Sequence, residues 1–491
     1  MTPDEKQTLK REAMGDLRVF LDRARDNGEL HVIRGADPNE EIGALYELSL
    51  EHDDPPVLLF EEIKGYPPNH RILVNARSAK LFNEHKGLDL VRAYREQQKT
   101  KIEPIPPRVV NGGPVLENIL SGDQVDVLRF PAPKWHGDDG GNYIGTECLV
   151  ITKDPDNGWV NLGTYRIQVQ DKTTLSVSIE PGKDGDTIRR KYWAKGEACP
   201  LVVTVGQAPV LGAVAAGTFA ANVSEYAIAG GRIGRAIDVI NGQLTGLPFP
   251  ADAEIAFEGF MPPPEEKSLP EGPFGEWPGY YASMVRPQPV LDVKMVYHRN
   301  DPIVVGQPPA KPTLPGTYYG TAGSSLMRAA NLWDQLEAAG VPGITGVWKM
   351  PGSGSRLINV ISIKQLHPGH AKMAGLVGTG CGSAAFFGRM TIIVDDDIDI
   401  TDPAEVMWAM ATRWDPKTQT DIIDDCWSGY IDPLLSPEKR AAENPVNSRV
   451  IIYAVRPYHW KDQFPKVNTV SKDYADTVRK KWAGKLNFLK S

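Results

Sequence analysis

The sequence predicts a mixed α/β (α+β) fold in which a strand-rich central domain lies between two α/β regions. Its 491 residues exceed what one ordinary core organises, so two or three domains are expected. Helical and strand spacings alternate near both ends, whereas short apolar runs follow one another in the middle. These changes of pattern divide the chain into residues 1–124, 125–314 and 315–491.

Composition is typical of a soluble globular protein and excludes several classes of function. The hydrophobic fraction is 41%, the charged fraction 24% and the net charge −8, which argues against a nucleic-acid surface spread over the chain. The four cysteines form no CxxC, so a disulfide framework or thiolate zinc site is not expected and a reducing cytoplasm fits. We find neither a secretory signal nor an apolar run of the ~18 residues that a membrane span needs.

The N-terminal region has the pattern of a small α/β domain. Leu17, Phe20, Leu21 and Ala24 recur at helical spacing, and the Asn-Gly pair at 27–28 is a good helix stop. Further helices are predicted at 39–50 and 88–97, and strands at 31–33, 57–60 and 71–74.

The central region has the pattern of an antiparallel sandwich or barrel. Strand candidates recur with one clear helix among them, at 187–195, whereas parallel βαβ units would need more helices. The strand candidates cover residues 146–152, 159–169, 174–179, 201–205, 236–240, 254–260, 290–297 and 303–305.

Beyond residue 315, helices and strands alternate again, which predicts a second α/β domain. Helices are expected at 326–339, 371–387 and 404–412, and strands at 357–363 and 390–394. A charged amphipathic helix over 471–489 is suited to packing on a neighbour.

The first candidate for chemistry is a pair of carboxylates, Glu271 and Glu276, which flank the sequence Gly-Pro-Phe-Gly. The proline and glycines disfavour a regular helix, so in a bent loop both side chains can converge on one cavity. Burial can then hold one carboxyl protonated and leave the other charged, as acid–base chemistry near neutral pH requires. The alternative is a surface turn with two solvated acids.

Three further residues suggest ligand binding. If residues 159–169 form one strand, an inward Arg166 could hold a substrate carboxylate with its guanidinium fork. Asn161 lies on the same stretch, and Glu225, among small and amide residues, could bind a hard cation. The alternatives are a surface arginine on a strand and a carboxylate that stabilises a helix start.

Other motifs are weaker. The Gly-rich residues 378–383 lack the Lys-Ser/Thr ending of a phosphate loop, so a closely packed helix is the better interpretation. His367 and His370 have a spacing that can ligate a metal, but Pro368 interrupts the element. The acidic run 395–399 is expected to cap a strand end at the surface.

Taken in order, Asn161 to Arg166, Ser224-Glu225, and the stretch from Glu271 to Glu276 resemble the UbiD-type decarboxylases, close to the ferulic acid decarboxylase branch. The Asp-Asp-Gly-Gly-Asn-Tyr sequence at 138–143 and residues 396–399 and 408–413 support this resemblance. It implies an N-terminal α/β region, a central split β-barrel that binds a flavin, and a C-terminal α/β domain that makes oligomer contacts in a homodimer or homohexamer.

The resemblance also implies prenylated FMN as cofactor, supplied by a flavin prenyltransferase, and a small-molecule carboxylic acid that loses CO₂. Arg166, Glu271 and Glu276 would be the catalytic residues, with Glu276 delivering the proton. Asn161 and Glu225 would ligate a Mn²⁺ or Mg²⁺ that bridges to the cofactor phosphate, with a K⁺ nearby.

Two positions depart from the family pattern or decide the substrate. No histidine follows Ile179, where the family has its third metal ligand, so Asp184 would take the metal or Lys183 would meet the phosphate directly. Ile179 and Trp277 fall where the family lines its substrate pocket. The ring of Trp277 could stack on a flat aromatic or heteroaromatic acid, or it could narrow the pocket, and we expect an aromatic acid rather than an acrylic one.

Two rival classes remain open. An ordinary FMN-dependent oxidoreductase on the same barrel would leave the Arg166, Glu271 and Glu276 set unexplained. A non-catalytic subunit of a multi-subunit carboxylase would not need all three of these residues, so their presence argues against that class.

Overall fold

Four β-sheets carry the described part of the computed structural model, residues 3–76, 87–99, 102–217, 219, 222–320, 322–354, 356–442 and 444–486. The helices are α1 Pro3–Met14, α2 Leu17–Asp26, α3 Glu41–Ser49, α4 Gly87–Lys99, α5 Asp184–Trp193, α6 Pro209–Ala215, α7 Glu225–Ile233, α8 Pro315–Gly320, α9 Ala322–Ala338, α10 His370–Gly380, α11 Gly382–Ala385, α12 Pro403–Arg413, α13 Pro437–Ala441 and α14 Lys472–Trp482. The strands are β1 Leu30–Arg34, β2 Val57–Glu61, β3 Arg71–Val74, β4 Arg108–Val109, β5 Asn118–Ser121, β6 Tyr143–Gly145, β7 Cys148–Lys153, β8 Val160–Gly163, β9 Arg166–Val169, β10 Thr174–Ser178, β11 Cys199–Val205, β12 Asp238–Asn241, β13 Pro248–Pro250, β14 Ile255–Met261, β15 Ser268–Glu271, β16 Arg286–His298, β17 Ile303–Gly306, β18 Ile344–Lys349, β19 Ile358–Ile363, β20 Met390–Asp395, β21 Thr420–Trp427 and β22 Val446–Ala454.

The N-terminal sheet has the order β1-β2-β3-β17. Helix α2 begins after Asp16, whose carboxylate accepts hydrogen bonds from the backbone N–H groups of Arg18 and Val19. The four apolar residues of α2 that the sequence places on one face are all buried against β2, β3 and β17. Strand β17 belongs to the end of the central region in sequence but completes this sheet by pairing in parallel with β3.

The central sheet has ten strands, and its main path runs β6-β9-β10-β16-β14-β11-β7-β8. Strand β8 lies at one end of that path and β9 lies next to the other end, yet only Thr164 and Tyr165 connect them. A two-residue link can join the two ends only if the sheet curls round until they approach each other. The sheet is therefore a half-barrel, with a cleft between β8 and β9.

The prediction of one continuous strand over residues 159–169 is wrong. The chain bends at Thr164-Tyr165, and the backbone oxygen of Tyr165 accepts a hydrogen bond from the thiol of Cys148. The Tyr165 ring packs on Gly163, where an added Cβ would lie 2.3 Å from the ring. Glycine at 163 thus provides the space that lets the ring turn back, and residues on either side of the bend lie on different edges of the half-barrel. Helices α6 and α7, which the sequence interpretation missed, follow β11.

The C-terminal sheet has the order β18-β19-β20-β22-β21, with α9 and α10 packed on it. Gly378 of α10 lies against β19, where an added Cβ would be 2.5 Å from Ile361, so close helix packing is confirmed at this first glycine of the Gly-rich stretch. Gly380 and Gly382 have no such close contact. The expectation that the run 395–399 caps a strand at the surface is wrong for Asp395, which is buried in ion pairs with Arg413 and Arg456. Nδ1 of His370 accepts a hydrogen bond from the backbone N–H of Leu366, and Nε2 donates one to the carbonyl of Pro342. Both ring nitrogens therefore have partners within the chain and are not aimed at a metal.

The mixed α/β class and the curled central sheet confirm the predicted fold. Two pairings cross the predicted divisions, because β5 joins β16 and β17 joins β3. The divisions at 124 and 314 therefore describe chain order rather than separate sheets, and they stay a prediction. Among the helices of the described residues, none is both long and apolar enough to cross a bilayer.

Candidate active site

The two glutamates of the predicted pair lie at the start of the connection between β15 and β16, Glu271 directly before it and Glu276 within it. Glu271 is the last residue of β15 and pairs with Arg286. Gly272 has φ +90°, a backbone conformation that glycine adopts without strain. At the far end, the backbone N–H of Glu276 donates to the carbonyl of Tyr280 at 3.1 Å. The loop thus turns both carboxylates toward Arg166, which begins β9 beside the cleft of the half-barrel.

Arg166, the first residue of β9, joins the two carboxylates. Its Nε and one terminal nitrogen donate to the two oxygens of Glu271 at 2.7 and 2.9 Å. The other terminal nitrogen donates to Oε1 of Glu276 at 2.5 Å. Side-chain exposures are 13% for Arg166, 1% for Glu271 and 13% for Glu276, so these charges meet largely away from water. We call this set the arginine clamp.

Charge balance within the clamp stabilises the guanidinium. Burial by itself would lower the pKa of Arg166, but Glu276 and Glu271 outweigh it and raise that pKa above its ordinary value. One formal positive charge faces two formal negative ones, and three of the five N–H donors are already used. The clamp is complete without a ligand.

Residues 136–143 pack against the loop that carries the two glutamates and support it. Sequence reasoning missed this role. The Tyr143 hydroxyl donates to Oε1 of Glu271 at 3.2 Å, and its ring lies 4.3 Å from that of Phe274. Gly140 donates its N–H to the Pro273 carbonyl at 2.8 Å, and any Cβ there would collide with Gly272. Asp139 accepts from the N–H of Gly275 at 3.4 Å.

His136 extends this support to the N-terminal region. Its ring lies 3.2 Å from the carboxylate of Glu47 in α3 and 3.6 Å from Asp139. Burial would lower the pKa of His136, but Asp139 and Glu47 outweigh it and raise it to about 9. A protonated His136 therefore connects α3 to the loop of the clamp.

Asn161 of β8 and Glu225 of α7 contact each other, as the ligand hypothesis requires. Glu225 begins α7, and its carboxylate accepts from the Asn161 amide and the Leu162 backbone N–H, both at 3.4 Å. The Oδ1 atom of Asn161 is buried without a hydrogen-bond partner. Burial, with Asp184 nearby, raises the pKa of Glu225 to about 7. An orphaned amide oxygen beside a carboxylate of raised pKa fits a hard cation, which would satisfy both.

The described residues contain no cluster of three or more His, Cys, Asp or Glu side chains arranged for a metal. Such a site would therefore need the amide of Asn161 or the phosphate of a cofactor. Asp184 lies in the first turn of α5, and its charge acts on both Glu225 and Tyr165. Asp184 therefore lies near Glu225, one of the two predicted ligands.

Lys183 and the predicted pocket residues face other surroundings. Desolvation, then Arg356 and Arg328, lower the pKa of Lys183, which places its ammonium near two arginines of the C-terminal region. Ile179 is 3% exposed and belongs to the core of the half-barrel. The Trp277 ring packs edge-on against Phe387 at 5.1 Å and lies under the Arg356 guanidinium at 4.8 Å. Sequence reasoning missed Arg328 and Arg356, which belong to no motif.

Family models match the chain in three consecutive parts. They are the 3-octaprenyl-4-hydroxybenzoate carboxy-lyase N-terminal domain over residues 21–80, its Rift-related domain over 108–312 and its C-terminal domain over 323–454. The chain belongs to the UbiD family of carboxy-lyases.

Individual relatives are decarboxylases. The chain is 32% identical to a pyrrole-2-carboxylic acid decarboxylase of Pseudomonas aeruginosa, over 91% of this chain and 92% of the relative. It is 30% identical to a phenolic acid decarboxylase of Bacillus subtilis, over 87% and 90%. The UbiD-class enzyme HmfF from Pelotomaculum thermopropionicum, solved in complex with FMN, superposes with a TM-score of 0.78 at 29% identity, over 93% of this chain and 98% of that one. An evolved dimeric form of HmfF, solved with prenylated FMN, superposes with a TM-score of 0.76 at 28% identity, over the same shares.

Proposed function

We propose that this chain catalyses the reversible, non-oxidative decarboxylation of an aromatic or heteroaromatic carboxylic acid, with an α,β-unsaturated acid as the broader class, using prenylated FMN. The arginine clamp carries the proposal, because it places a buried, oriented carboxyl group at the mouth of a half-barrel whose relatives bind this flavin. In the reaction the bond between the ring carbon and the carboxylate breaks, CO₂ leaves, and a proton replaces it.

Asn161 and Glu225, with Asp184, would hold a Mn²⁺ or Mg²⁺ beside the cofactor phosphate, and a K⁺ is expected nearby. The orphaned Oδ1 of Asn161 and the raised pKa of Glu225 support this assignment. Lys183, whose ammonium lies near Asp184 as well as near the two arginines, is the alternative group for direct contact with that phosphate. When bound, prenylated FMN supplies the acceptor for the electron pair that departing CO₂ leaves on carbon.

Glu276 is the proton donor. Both of its side-chain hydrogen bonds among the described residues, from Arg166 at 2.5 Å and from Ser283 at 3.2 Å, end on Oε1. Oε2 is therefore the oxygen left to carry a proton toward the substrate carbon.

Glu271 and Arg166 orient that donor. Glu271 uses both oxygens on Arg166 and Tyr143, so its role is to hold the guanidinium rather than to transfer a proton. Arg166 has two N–H donors left for a substrate, but its charge is already balanced by two carboxylates.

The indole ring of Trp277 directly follows Glu276 and suits a flat ring stacked near the donor. Names of the Pseudomonas and Bacillus relatives refer to a pyrrole and a phenolic acid, which favours an aromatic substrate here. Ile179 would form part of the half-barrel wall against which the substrate ring packs. We expect a homodimer or homohexamer, and a flavin prenyltransferase as the supplier of the cofactor.

The test is the mass and absorption spectrum of the cofactor released from protein made with and without a flavin prenyltransferase, together with CO₂ release from aromatic acids. We expect prenylated FMN and CO₂ release only in the first sample. Plain FMN in both samples, with turnover that consumes an oxidant or reductant, would instead establish the oxidoreductase alternative. Bound prenylated FMN without CO₂ release from any acid would favour a non-catalytic subunit.

A further inference from the structure

Next to the proton donor lies a group of cations that the proposed chemistry does not use. Arg356 stacks on Trp277 with 4.8 Å between the guanidinium carbon and the ring centroid. Gly354 makes this contact tight, because a Cβ there would lie 2.4 Å from the indole. The electrostatic neighbours of Arg356 are Arg328 and Glu276. Besides desolvation by burial, Arg356 and Arg328 also lower the pKa values of Lys183 and Lys349. We call these four residues, Lys183, Arg328, Lys349 and Arg356, the cation cluster.

The cluster contains donors without acceptors. Nε of Arg328 and Nε1 of Trp277 are both buried without a hydrogen-bond partner. In the described part of the chain, no carboxylate lies within ion-pair distance of Arg328, Arg356 or Lys183. Arginine, lysine and the indole N–H can only donate, so whatever completes this group must be an acceptor, and the charge favours an anion.

Burial and, after it, mutual repulsion act against the positive charges of the cluster. Desolvation and Arg328 lower the pKa of Arg356 to about 9, although Glu276 acts in the opposite direction. Burial, then Arg328 and Arg356, lower the pKa of Lys349 to about 7. Lys349 is 1% exposed and donates to Asn359 and to the Ser383 carbonyl, so it supports the cluster from within the C-terminal domain. The two arginines and Lys183 are the groups left to meet a ligand.

Decarboxylation restricts which anion this can be. The reacting carboxylate loses its charge as CO₂ forms, so cations clamped on it would stabilise the ground state more than the transition state and slow the reaction. A second carboxylate elsewhere on the ring keeps its charge throughout the reaction. Cations can therefore bind it without stabilising the ground state more than the transition state. The cluster lies beside Trp277 and Glu276, within reach of the far side of a ring held there.

We propose that the substrate is a dicarboxylic aromatic or heteroaromatic acid, and that Arg328 and Arg356 bind the carboxylate that remains in the product. This rests on the proposed function and names its substrate class. Arg356 supplies a bidentate fork fixed by its stack on Trp277, and Arg328 supplies an unpaired Nε–H. In this arrangement the carboxylates of the clamp serve proton transfer, and the cations of the cluster bind the substrate.

The test compares matched acids on the flavin-loaded enzyme: pyrrole-2-carboxylate against pyrrole-2,5-dicarboxylate, and benzoate against benzene-1,4-dicarboxylate. We expect kcat/KM for the dicarboxylate to exceed that for the monocarboxylate at least a hundredfold in one of the two pairs. Arg356→Gln and Arg328→Gln should each lower the dicarboxylate value thirtyfold or more, and at least tenfold more than they lower the monocarboxylate value. Arg356→Lys should recover part of the loss, and the exposed Arg92→Gln serves as control.

Equal losses on both acids would overturn the proposal, as would a wild-type preference for the monocarboxylates. Loss of bound flavin in Arg356→Gln would overturn it too, since the cations would then hold the cofactor phosphate. Titration calorimetry with the two benzene acids separates this inference from the proposed function. If no acid releases CO₂, tighter dicarboxylate binding that disappears in Arg356→Gln still supports the cluster's role, and equal affinities contradict it.

Discussion

The arginine clamp and the cation cluster are neighbours, since Glu276 of the clamp acts on Arg356 of the cluster, but they differ in how their charges are balanced. In the clamp, Arg166 donates three hydrogen bonds to two carboxylates, and the group is complete as it stands. In the cluster, Arg328 and Arg356 face each other and a lysine, and two donors lack acceptors. The same type of side chain thus serves orientation in one region and recognition in the other.

This difference indicates how the two regions contribute to function. Groups that must be in place before the substrate arrives are held by partners from the chain itself, as electrostatic preorganisation requires. Groups that select the substrate are left incomplete, so only a ligand of the right charge satisfies them. Substitutions should therefore affect chemistry in the clamp and selectivity in the cluster.

The largest effect is expected at the clamp. Glu276→Gln removes the acidic proton but keeps the shape, so CO₂ release should fall by about three orders of magnitude or more, with flavin content unchanged. Single-turnover CO₂ release and the flavin spectrum measure both. The exposed Glu265→Gln on the preceding turn is the control and should behave as wild type. Turnover of Glu276→Gln within tenfold of wild type would remove Glu276 from the proton-transfer role.

A smaller effect is expected at the proposed metal site, where substitutions should lower the flavin and metal content of the protein. Asn161→Ala and Glu225→Ala remove the two proposed ligands that contact each other, so purified protein should hold several-fold less flavin and less Mn²⁺. Metal analysis and flavin absorbance measure the two quantities independently of activity. Unchanged flavin and metal in both variants would remove these residues from the cofactor site.

Stability should change in opposite directions in the two regions of the ligand-free protein. Glu271→Gln leaves Arg166 buried with one carboxylate fewer and should lower Tm by several degrees. Arg356→Met removes an unpaired cation yet can still pack on Trp277, so it should raise Tm by a degree or two. Scanning calorimetry at one pH compares them. A lower Tm in both variants would mean that the cluster is already balanced without a ligand.

The smallest effect concerns the support behind the clamp. The folded-state pKa of His136, about 9, lies above its ordinary 6.5, so the stability it contributes is full below about pH 6.5 and is lost as pH rises through about 9. The Tm difference between wild type and His136→Gln should therefore shrink between pH 6 and 9.5. A difference that is constant or grows with pH would mean that His136 is neutral in the folded protein.

Much of this could be predicted from sequence, for identifiable reasons. The face of α2 follows from local spacing of apolar residues, and the Gly-Pro-Phe-Gly sequence forces the loop that brings Glu271 and Glu276 together. The bend at Tyr165 depends on space above Gly163 and could not be read from strand propensity. Arg328 and Arg356 meet Lys183 only through packing of the C-terminal region on the central loop, a long-range contact without a local signal.

The most direct test of the central claim is to run the flavin-loaded enzyme in D₂O and measure where deuterium enters the product. A non-oxidative decarboxylation with Glu276 as donor predicts one deuterium per product molecule at the carbon that lost CO₂. It also predicts that wild-type enzyme exchanges that hydrogen in the isolated product, whereas Glu276→Gln does not. Exchange that persists undiminished in Glu276→Gln, or CO₂ release without deuterium at that carbon, would contradict the account.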